Sequence, residues 1–425
     1  MKYLMNIKFI DGIKMCVFFL TIGYLLNEKI FINTFFFIGL IIKILHFVVN
    51  KDIKNNICIL KNYKNLNLKI LGYIMLFSIV MLLSALNAVD INTSLKWAEK
   101  YFKWMLIPFF MIWIMAYGSI NNQMLKKCVN YGLVVGIVIM SFTLIYKCLF
   151  LGMKRPCIDY ISNNPNPTAG FILLIMPFII LADYNRKTYL KLLLIALGSL
   201  GLIITESRGA IIAYLCLLLI TIFIKRNNYE FRKLLCKNIK IGILSLIIVM
   251  GLGYSFFYMG GYRFVQLFNK PDKLIENRVG GDRIFLWKSS LNMIEDYPVL
   301  GVGLRNFNKV YIEKNYINEN AKELKLETTH NVFLNFFVET GIIGGLTFCL
   351  LIFYQLKYLF IHMKNDNFVF AYFLTVIGMC IHGMVDFVLI KIYWQMYWFL
   401  SGVIWLYIYN KIYSHNNNIN IERNY

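Results

Sequence analysis

Long apolar segments recur along the chain and alternate with short polar or basic segments. Because an α-helix of about 20 apolar residues crosses the hydrocarbon core of a bilayer, each long segment predicts a membrane-spanning helix. We predict about twelve such spans, at residues 12–26, 30–49, 70–88, 102–118, 129–150, 168–181, 190–205, 209–224, 241–259, 332–354, 368–390 and 393–409. The pattern predicts an all-α polytopic membrane protein in which residues 1–425 form a single integral membrane domain.

The overall composition is not that of an ordinary soluble protein. Hydrophobic residues make up 59% of the 425 residues, charged residues only 16%, and the mean hydropathy is +0.61, whereas soluble domains are about 25% charged. The net charge of +22 comes mostly from basic residues in short loops between apolar segments. Such residues set membrane topology and contact anionic headgroups, so we expect membrane lipids, and no nucleic acid, as partners.

The basic segments 51–69 and 225–240 fall on one side of this map, which the positive-inside rule assigns to the cytoplasm. Both termini then lie in the cytoplasm, and residues 414–425 are predicted to form a disordered cytoplasmic tail. On the other side, residues 260–330 form a long loop between the ninth and tenth spans. Within it, the segment GDRIFLWKSSLNMIEDYP has apolar residues at helical spacing and predicts a helix that lies against the bundle or the headgroup layer.

One of only five histidines, His330, stands at the outer end of the tenth span, in the segment ETTHNVFLNFF. A histidine there can accept a proton from an attacking hydroxyl near neutral pH, and Asn331 is a candidate supporting residue beside it. The alternative is a polar helix start with Thr328 or Thr329 as the N-cap. Further along the same span, Glu339 is interpreted as a buried acid satisfied by another helix.

Arg208, in ITESRGAII, and Arg283, at the start of the loop helix, are candidate anion-binding residues. Arginine presents a planar fork of donors that matches a phosphate, and the amides of the helix that follows Arg208 also favour an anion. Alternatively, Arg208 is a membrane anchor or a partner for the nearby acid Glu206, and Arg283 is a surface cation on an amphipathic helix.

Two further charged residues are weaker candidates. Arg155 lies in an outward loop rich in Asn and Pro. Asp386 lies within the predicted span 368–390, and an acid inside a membrane is expected to be paired, here with Lys391 or with one of the arginines.

No sequence motif indicates a cofactor or a metal site. The nine cysteines lack CxxC spacing, and the outer face carries no P-loop, no Rossmann glycine pattern and no HExxH. Because ATP is not supplied outside the cytoplasmic membrane, chemistry on the outer face needs a pre-activated donor. A sugar linked to a lipid diphosphate is such a donor, since arginines suit its leaving group and a base suits the acceptor hydroxyl.

The segments SRGA, DRIFLW, YPVLGVGLRNF and HN..L....E.G..GG, in this order, resemble the O-antigen ligase family of bacterial envelope glycosyltransferases. The family also includes some O-antigen polymerases and protein O-oligosaccharyltransferases. The resemblance is strongest from residue 205 to residue 345, and the N-terminal third matches only in hydropathy and number of spans. It implies a C-type glycosyltransferase architecture in the bacterial inner membrane, with the active site facing the periplasm.

The resemblance also implies the reaction and its residues. O-antigen glycan would pass from undecaprenyl diphosphate to a sugar hydroxyl of lipid A–core, with inversion and without a metal or other cofactor. His330 matches the family histidine proposed as the base or acceptor-orienting group, and Arg208 and Arg283 match arginines that hold the donor diphosphate. Asp386 and Arg155 match only loosely, and with Asn331 and Glu206 they are candidate supporting residues.

Two alternatives remain at this point. An O-antigen polymerase would use the same lipid-linked donor with a growing glycan chain as acceptor. A transporter or flippase for lipid-linked glycans would instead carry charged residues along mid-membrane helices, often with inverted repeats. No repeat is found in the sequence, and its notable polar residues cluster on one face.

Overall fold

The computed structural model describes residues 2–50, 69–182, 188–226, 281–317 and 327–422. Within these ranges the chain forms thirteen α-helices and no β-strand, which confirms the predicted all-α class. The helices are α1 Lys2–Leu26, α2 Lys29–Asn50, α3 Lys69–Leu83, α4 Ile91–Ala116, α5 Asn122–Leu149, α6 Pro165–Leu181, α7 Thr188–Ile204, α8 Arg208–Lys225, α9 Gly281–Asp296, α10 Phe307–Glu313, α11 Val332–His362, α12 Asn367–Gly383 and α13 Lys391–Glu422. A 3₁₀ turn, Ser84–Asn87, extends α3.

Six helices of the described ranges are long and apolar enough to cross a membrane: α1, α2, α3 with its 3₁₀ turn, α5, α8 and α11. Three shorter apolar helices, α6, α7 and α12, accompany them. The polytopic membrane character is therefore confirmed, while the total of twelve spans stays a prediction. The predicted span 241–259 lies outside the described residues, as does most of the two basic segments.

The centre of the bundle is formed by helices that are buried on all sides. Trp394, Tyr397 and Trp398 of α13 are fully buried, as are Phe171 and Phe178 of α6. These two helices therefore occupy the interior, whereas other helices, such as α2 and α8, expose large apolar side chains on the outside of the bundle. The helix α13 continues to Glu422. The disordered tail at residues 414–425 stays a prediction.

The interhelical connections lie at two ends of the bundle. We call the end that carries residues 84–90, 150–164, 205–207, 281–317, 327–331 and 384–390 the loop face. Asn87 donates to the carbonyl of Gly301 at 2.9 Å, and the backbone N–H of Asp90 donates to Asn306 Oδ1 at 2.9 Å. The described part of the long loop is thus fixed to the α3–α4 connection.

A second anchor fixes the long loop to the interior of α11. Gly341 adopts φ 68° and ψ −174°, which breaks the helix there. Segment 298–303 docks on this break through three backbone hydrogen bonds: Val302 N to Val338 O at 3.0 Å, Gly303 N to Glu339 O at 2.9 Å, and Ile342 N to Pro298 O at 2.7 Å. These bonds satisfy backbone groups that the broken helix leaves unpaired. A Cβ at Gly301 would collide with Gly341 N and Val338 O, so only glycine permits this approach.

Candidate functional site

The helix ends that carry polar side chains meet on the loop face. Gly170 of α6 and Gly209 of α8 both lie against His382, near the end of α12. A Cβ at Gly170 would stand 3.1 Å from His382 Nδ1, and one at Gly209 would collide with Val385. The two glycines therefore let α6 and α8 approach the turn that follows α12 closely.

Asp386 lies in this turn and is the centre of the site. The predicted span 368–390 extends beyond the observed helix, which ends at Gly383, so Asp386 lies in a turn and not in a helix. The helix stops in a tight turn in which the Asp386 N–H donates to the carbonyl of His382 at 3.1 Å. Only 4% of Asp386 is exposed, so its carboxylate is enclosed by protein rather than by lipid.

Four donors surround the Asp386 carboxylate. Oδ1 lies 3.1 Å from His330 Nδ1 and accepts the N–H of Phe387 at 2.8 Å. Oδ2 lies 3.5 Å from Arg283 Nη2 and accepts a hydrogen bond from Asn166 Nδ2. The predicted pairing of Asp386 with an arginine is therefore observed, and the arginine is Arg283.

These contacts determine the ionisation of Asp386. Burial opposes the charged form, but the hydrogen bond to His330 and the charge of Arg283 favour it, and the pKa of Asp386 lies below its usual range. An ionised carboxylate only accepts hydrogen bonds. It therefore favours the form of His330 with a proton on Nδ1, which leaves Nε2 of the neutral ring as an acceptor.

His330 itself is held in a strained conformation. Its φ of 50° is left-handed, which a non-glycine residue adopts only when its surroundings impose it. Trp287 of α9 donates to the carbonyl of Thr329 at 3.0 Å, and the Thr329 hydroxyl donates to the carbonyl of Asn331 at 2.8 Å. The Asn331 side chain accepts the N–H of Leu334 at 3.0 Å. The N-cap of α11 is therefore Asn331, and the expectation of Thr328 or Thr329 is wrong.

Arg155 extends the site towards α7. Its Nη2 donates to Asn166 Oδ1 at 3.4 Å, and its Nε lies 3.9 Å from Glu206 Oε2. Glu206 is buried and has a left-handed φ of 53°. A chain of polar contacts thus runs from Glu206 through Arg155 and Asn166 to Asp386.

The remaining sequence candidates have different positions. Arg208 is the first residue of α8, half-buried, next to Gly209 and hence close to the turn that holds Asp386. Glu339 is fully buried more than two turns along α11 and interacts electrostatically with Arg305 of the long loop. It belongs to the docking of that loop rather than to the cluster around Asp386.

Sequence reasoning missed two residues of this site. Asn166 carried no signal within its Asn- and Pro-rich segment. His382 did carry one, because it precedes Asp386 by one helical turn in a chain with only five histidines. Among the described residues, no group of three or more His, Cys, Asp or Glu side chains is arranged to hold a metal ion.

Comparison with known proteins connects this geometry to a family. Residues 192–349 match the family model described as O-Antigen ligase. This segment, which we call the ligase segment, is similar in sequence to the O-antigen ligase family. The ligase segment contains Arg208, Arg283 and His330, whereas Asn166 and Asp386 lie outside it on either side.

Individual relatives support the same assignment. A candidate polysaccharide ligase of Rickettsia felis is 31% identical over 134 residues, which cover 31% of this chain and 31% of that protein. One from Rickettsia prowazekii is 32% identical over 136 residues, with the same coverage of both chains. The ComP-specific O-oligosaccharyltransferase of Acinetobacter baylyi is 23% identical over 231 residues, 53% of this chain and 40% of that protein. The chain thus matches less than half the length of each of these relatives.

Proposed function

We propose that the protein is an O-antigen ligase that transfers glycan from undecaprenyl diphosphate to a sugar hydroxyl of lipid A–core. The observation that carries the proposal is the hydrogen bond between His330 and Asp386 beside the guanidinium group of Arg283. A histidine oriented by a carboxylate is suited to take a proton from a hydroxyl, and a guanidinium group is suited to stabilise a leaving diphosphate.

In the proposed reaction, His330 Nε2 takes the proton of the acceptor hydroxyl while its oxygen attacks the anomeric carbon of the donor. The bond between that carbon and the diphosphate oxygen breaks, and the diphosphate leaves with the electron pair. Arg283 and Arg208 stabilise the charge that grows on this leaving group. Attack from the side opposite the leaving group inverts the anomeric centre, and no step requires a metal.

The placement in the membrane is part of the proposal. Lys225 and Lys411 lie at the end of the bundle opposite the loop face, where they contact Asn367 at 2.8 Å and Asp366 at 3.0 Å. With the basic segments 51–69 and 225–240, they favour a cytoplasmic location for that end. The loop face and its site would then face the periplasm across the bacterial inner membrane, as in a C-type glycosyltransferase.

A second candidate is a transferase that uses the same donor with another acceptor. The name of the Acinetobacter baylyi relative indicates ComP as its acceptor, so a different acceptor occurs among the relatives of this chain. An O-antigen polymerase belongs to the same class. The donor side of the proposed site would be unchanged in either case.

Deletion of the gene separates these functions when lipopolysaccharide and the lipid-linked pool are both examined. For a ligase we expect bare lipid A–core together with long undecaprenyl-linked glycan that accumulates. Core capped with a single repeat unit would identify a polymerase and overturn the ligase assignment. Loss of donor from the periplasmic leaflet would indicate a flippase.

The reaction centre is tested with His330→Ala in purified membranes. We expect transfer to be abolished while the protein inserts normally, because the proposed base is removed. His362→Ala is the matched control, since His362 ends the same helix at the opposite end of the bundle. Normal transfer by His330→Ala would refute the assignment of His330 as the base.

A further inference from the structure

The Asn166 side chain joins the carboxylate of Asp386 to the guanidinium group of Arg155. Its Nδ2 donates to Asp386 Oδ2, and its Oδ1 accepts from Arg155 Nη2 at 3.4 Å. Neither Asn166 nor the two residues that it connects lies in the ligase segment 192–349. The family match therefore leaves this connection without a role.

The chemistry of the two partners fixes the orientation of the Asn166 amide. An ionised carboxylate only accepts hydrogen bonds, and a guanidinium group only donates them. The amide must therefore direct its NH₂ group to Asp386 and its oxygen to Arg155. An aspartate at position 166 would satisfy Arg155 but would place a second carboxylate against Asp386.

The backbone around Asn166 holds it firmly. Its N–H donates to the N-cap side chain of Asn164 at 2.9 Å. It lies between Pro165 and Pro167, whose rings restrict φ in the first turn of α6. The backbone N–H of Ile158 donates to Thr168 Oγ1 at 3.1 Å, which ties the loop that carries Arg155 to the same turn. Side chains on rigid elements orient their partners better than side chains on free loops.

We infer that Asn166 is a positioning residue of the proposed transferase, which holds Asp386 Oδ2 so that Oδ1 faces His330. This inference rests on the proposed function. Asn166 acts on the acceptor hydroxyl only through Asp386 and His330. Its side-chain oxygen orients Arg155. Loss of the hydrogen bond from Asn166 to Asp386 should therefore affect the proton transfer step. Loss of the hydrogen bond from Arg155 to Asn166 should instead affect the binding of the diphosphate-linked glycan.

The test compares Asn166→Asp with Asn163→Asp in the purified full-length protein, using an undecaprenyl diphosphate-linked glycan and lipid A–core. Asn163 is exposed in the same loop, so it receives the same change of charge away from Asp386. We expect Asn166→Asp to lower kcat by about 10- to 100-fold, as is typical for an outer hydrogen-bond partner of a site. The acid limb of its kcat profile should move to higher pH, because an added carboxylate favours the protonated form of the His330 ring. The KM for the donor should change much less, because an oxygen still faces Arg155.

Asn166→Ala provides the neutral counterpart. It should lower kcat without the shift of the acid limb, and it should raise the KM for the donor, because Arg155 loses its acceptor. If Asn166→Asp does not fold, the comparison of Asn166→Ala with Asn163→Ala at equal melting temperature decides the question. Rates and pH profiles equal to those of the position-163 controls would overturn the role of Asn166 while leaving the proposed function intact. Absence of transfer in the wild-type protein with these substrates would instead overturn the proposed function.

Discussion

Replacement of Asp386 by Asn is the most direct perturbation of the site, because it removes one charge and keeps the shape of the side chain. All four neighbours of the carboxylate are donors, and an amide can accept on only one of its two sides. If the NH₂ group takes the place of Oδ1, it faces His330 Nδ1, originally at 3.1 Å, and the N–H of Phe387. The ring must then carry its proton on Nε2 and cannot act as a base.

The other orientation is also unfavourable. An NH₂ group in place of Oδ2 faces the donors of Arg283 and Asn166, and the guanidinium group loses its counter-charge. Hydrogen bonds to charged groups contribute about 1.5–3 kcal/mol each. General base catalysis contributes about 10²–10⁴-fold in rate, which corresponds to about 2.7–5.5 kcal/mol of barrier. We therefore expect Asp386→Asn to lower kcat by about 10²–10⁴-fold.

The assay is glycan transfer by the purified protein, with donor and acceptor varied separately. Asp159→Asn serves as the control, since Asp159 is exposed on the loop face and pairs with Lys147 at 2.6 Å. The variant should insert and bind donor, because the effect is on proton transfer. A rate within about threefold of the wild type, with the protein folded, would show that Asp386 does not orient the base.

Three further predictions address other parts of the structure. Arg208→Lys should lower the rate of transfer by at least about tenfold, because lysine cannot make a two-pronged contact. The control Arg226→Lys, at the other end of α8, should leave the rate unchanged. Equal rates for the two variants would remove Arg208 from the site. Gly301→Ala should destabilise the protein by about 2–5 kcal/mol, because position 301 has a left-handed φ and an added Cβ would collide with α11. In the control Gly72→Ala, the added Cβ meets no atom within 4 Å, so the change should be neutral or stabilising. Equal melting temperatures for the two variants would contradict the docking of segment 298–303. Because the pKa of Asp386 is lowered in the folded state, its stabilising contribution is present above the unfolded-state pKa and is lost as the pH falls through the folded-state value. Asp386→Asn should therefore reduce the fall in melting temperature below about pH 4, and an unchanged pH dependence would show that Asp386 is not linked to folding in this way.

Local patterns in the sequence were sufficient for the membrane helices and for part of the site. Apolar runs and helical spacing depend on neighbouring residues, so they predicted the all-α class and the helix at Gly281–Asp296. His330 and Arg283 stood out as polar residues beside apolar segments, and the structure brings both to one carboxylate. Their roles in transfer remain a proposal.

Hydropathy could not locate Asp386 correctly. The residues that follow it are apolar, so the pattern extended the span to residue 390, although the helix ends at Gly383. Hydropathy does not separate a turn that protein encloses from a membrane span. The contact of Asp386 with Asn166 joins residues 220 positions apart, so no local pattern contains it. The N-cap of α11 was ambiguous for another reason, since Thr328, Thr329 and Asn331 are all capping residue types.

Arg283 has two partners in the proposed mechanism, and this makes Asn166 necessary. In the structure, Arg283 Nη2 lies 3.5 Å from Asp386 Oδ2. A diphosphate carries more negative charge than a carboxylate and attracts the guanidinium group more strongly, so binding of the donor weakens the hold of Arg283 on Oδ2. The negative charge of the carboxylate is then less neutralised by Arg283, which favours acceptance of a proton by the His330 ring. The carboxylate needs another hydrogen-bond donor to remain oriented. Asn166 is neutral and therefore does not compete for the diphosphate, and it is fixed in the first turn of α6. The neutral amide of Asn166 therefore orients the Asp386 carboxylate without neutralising its charge when His330 accepts the proton.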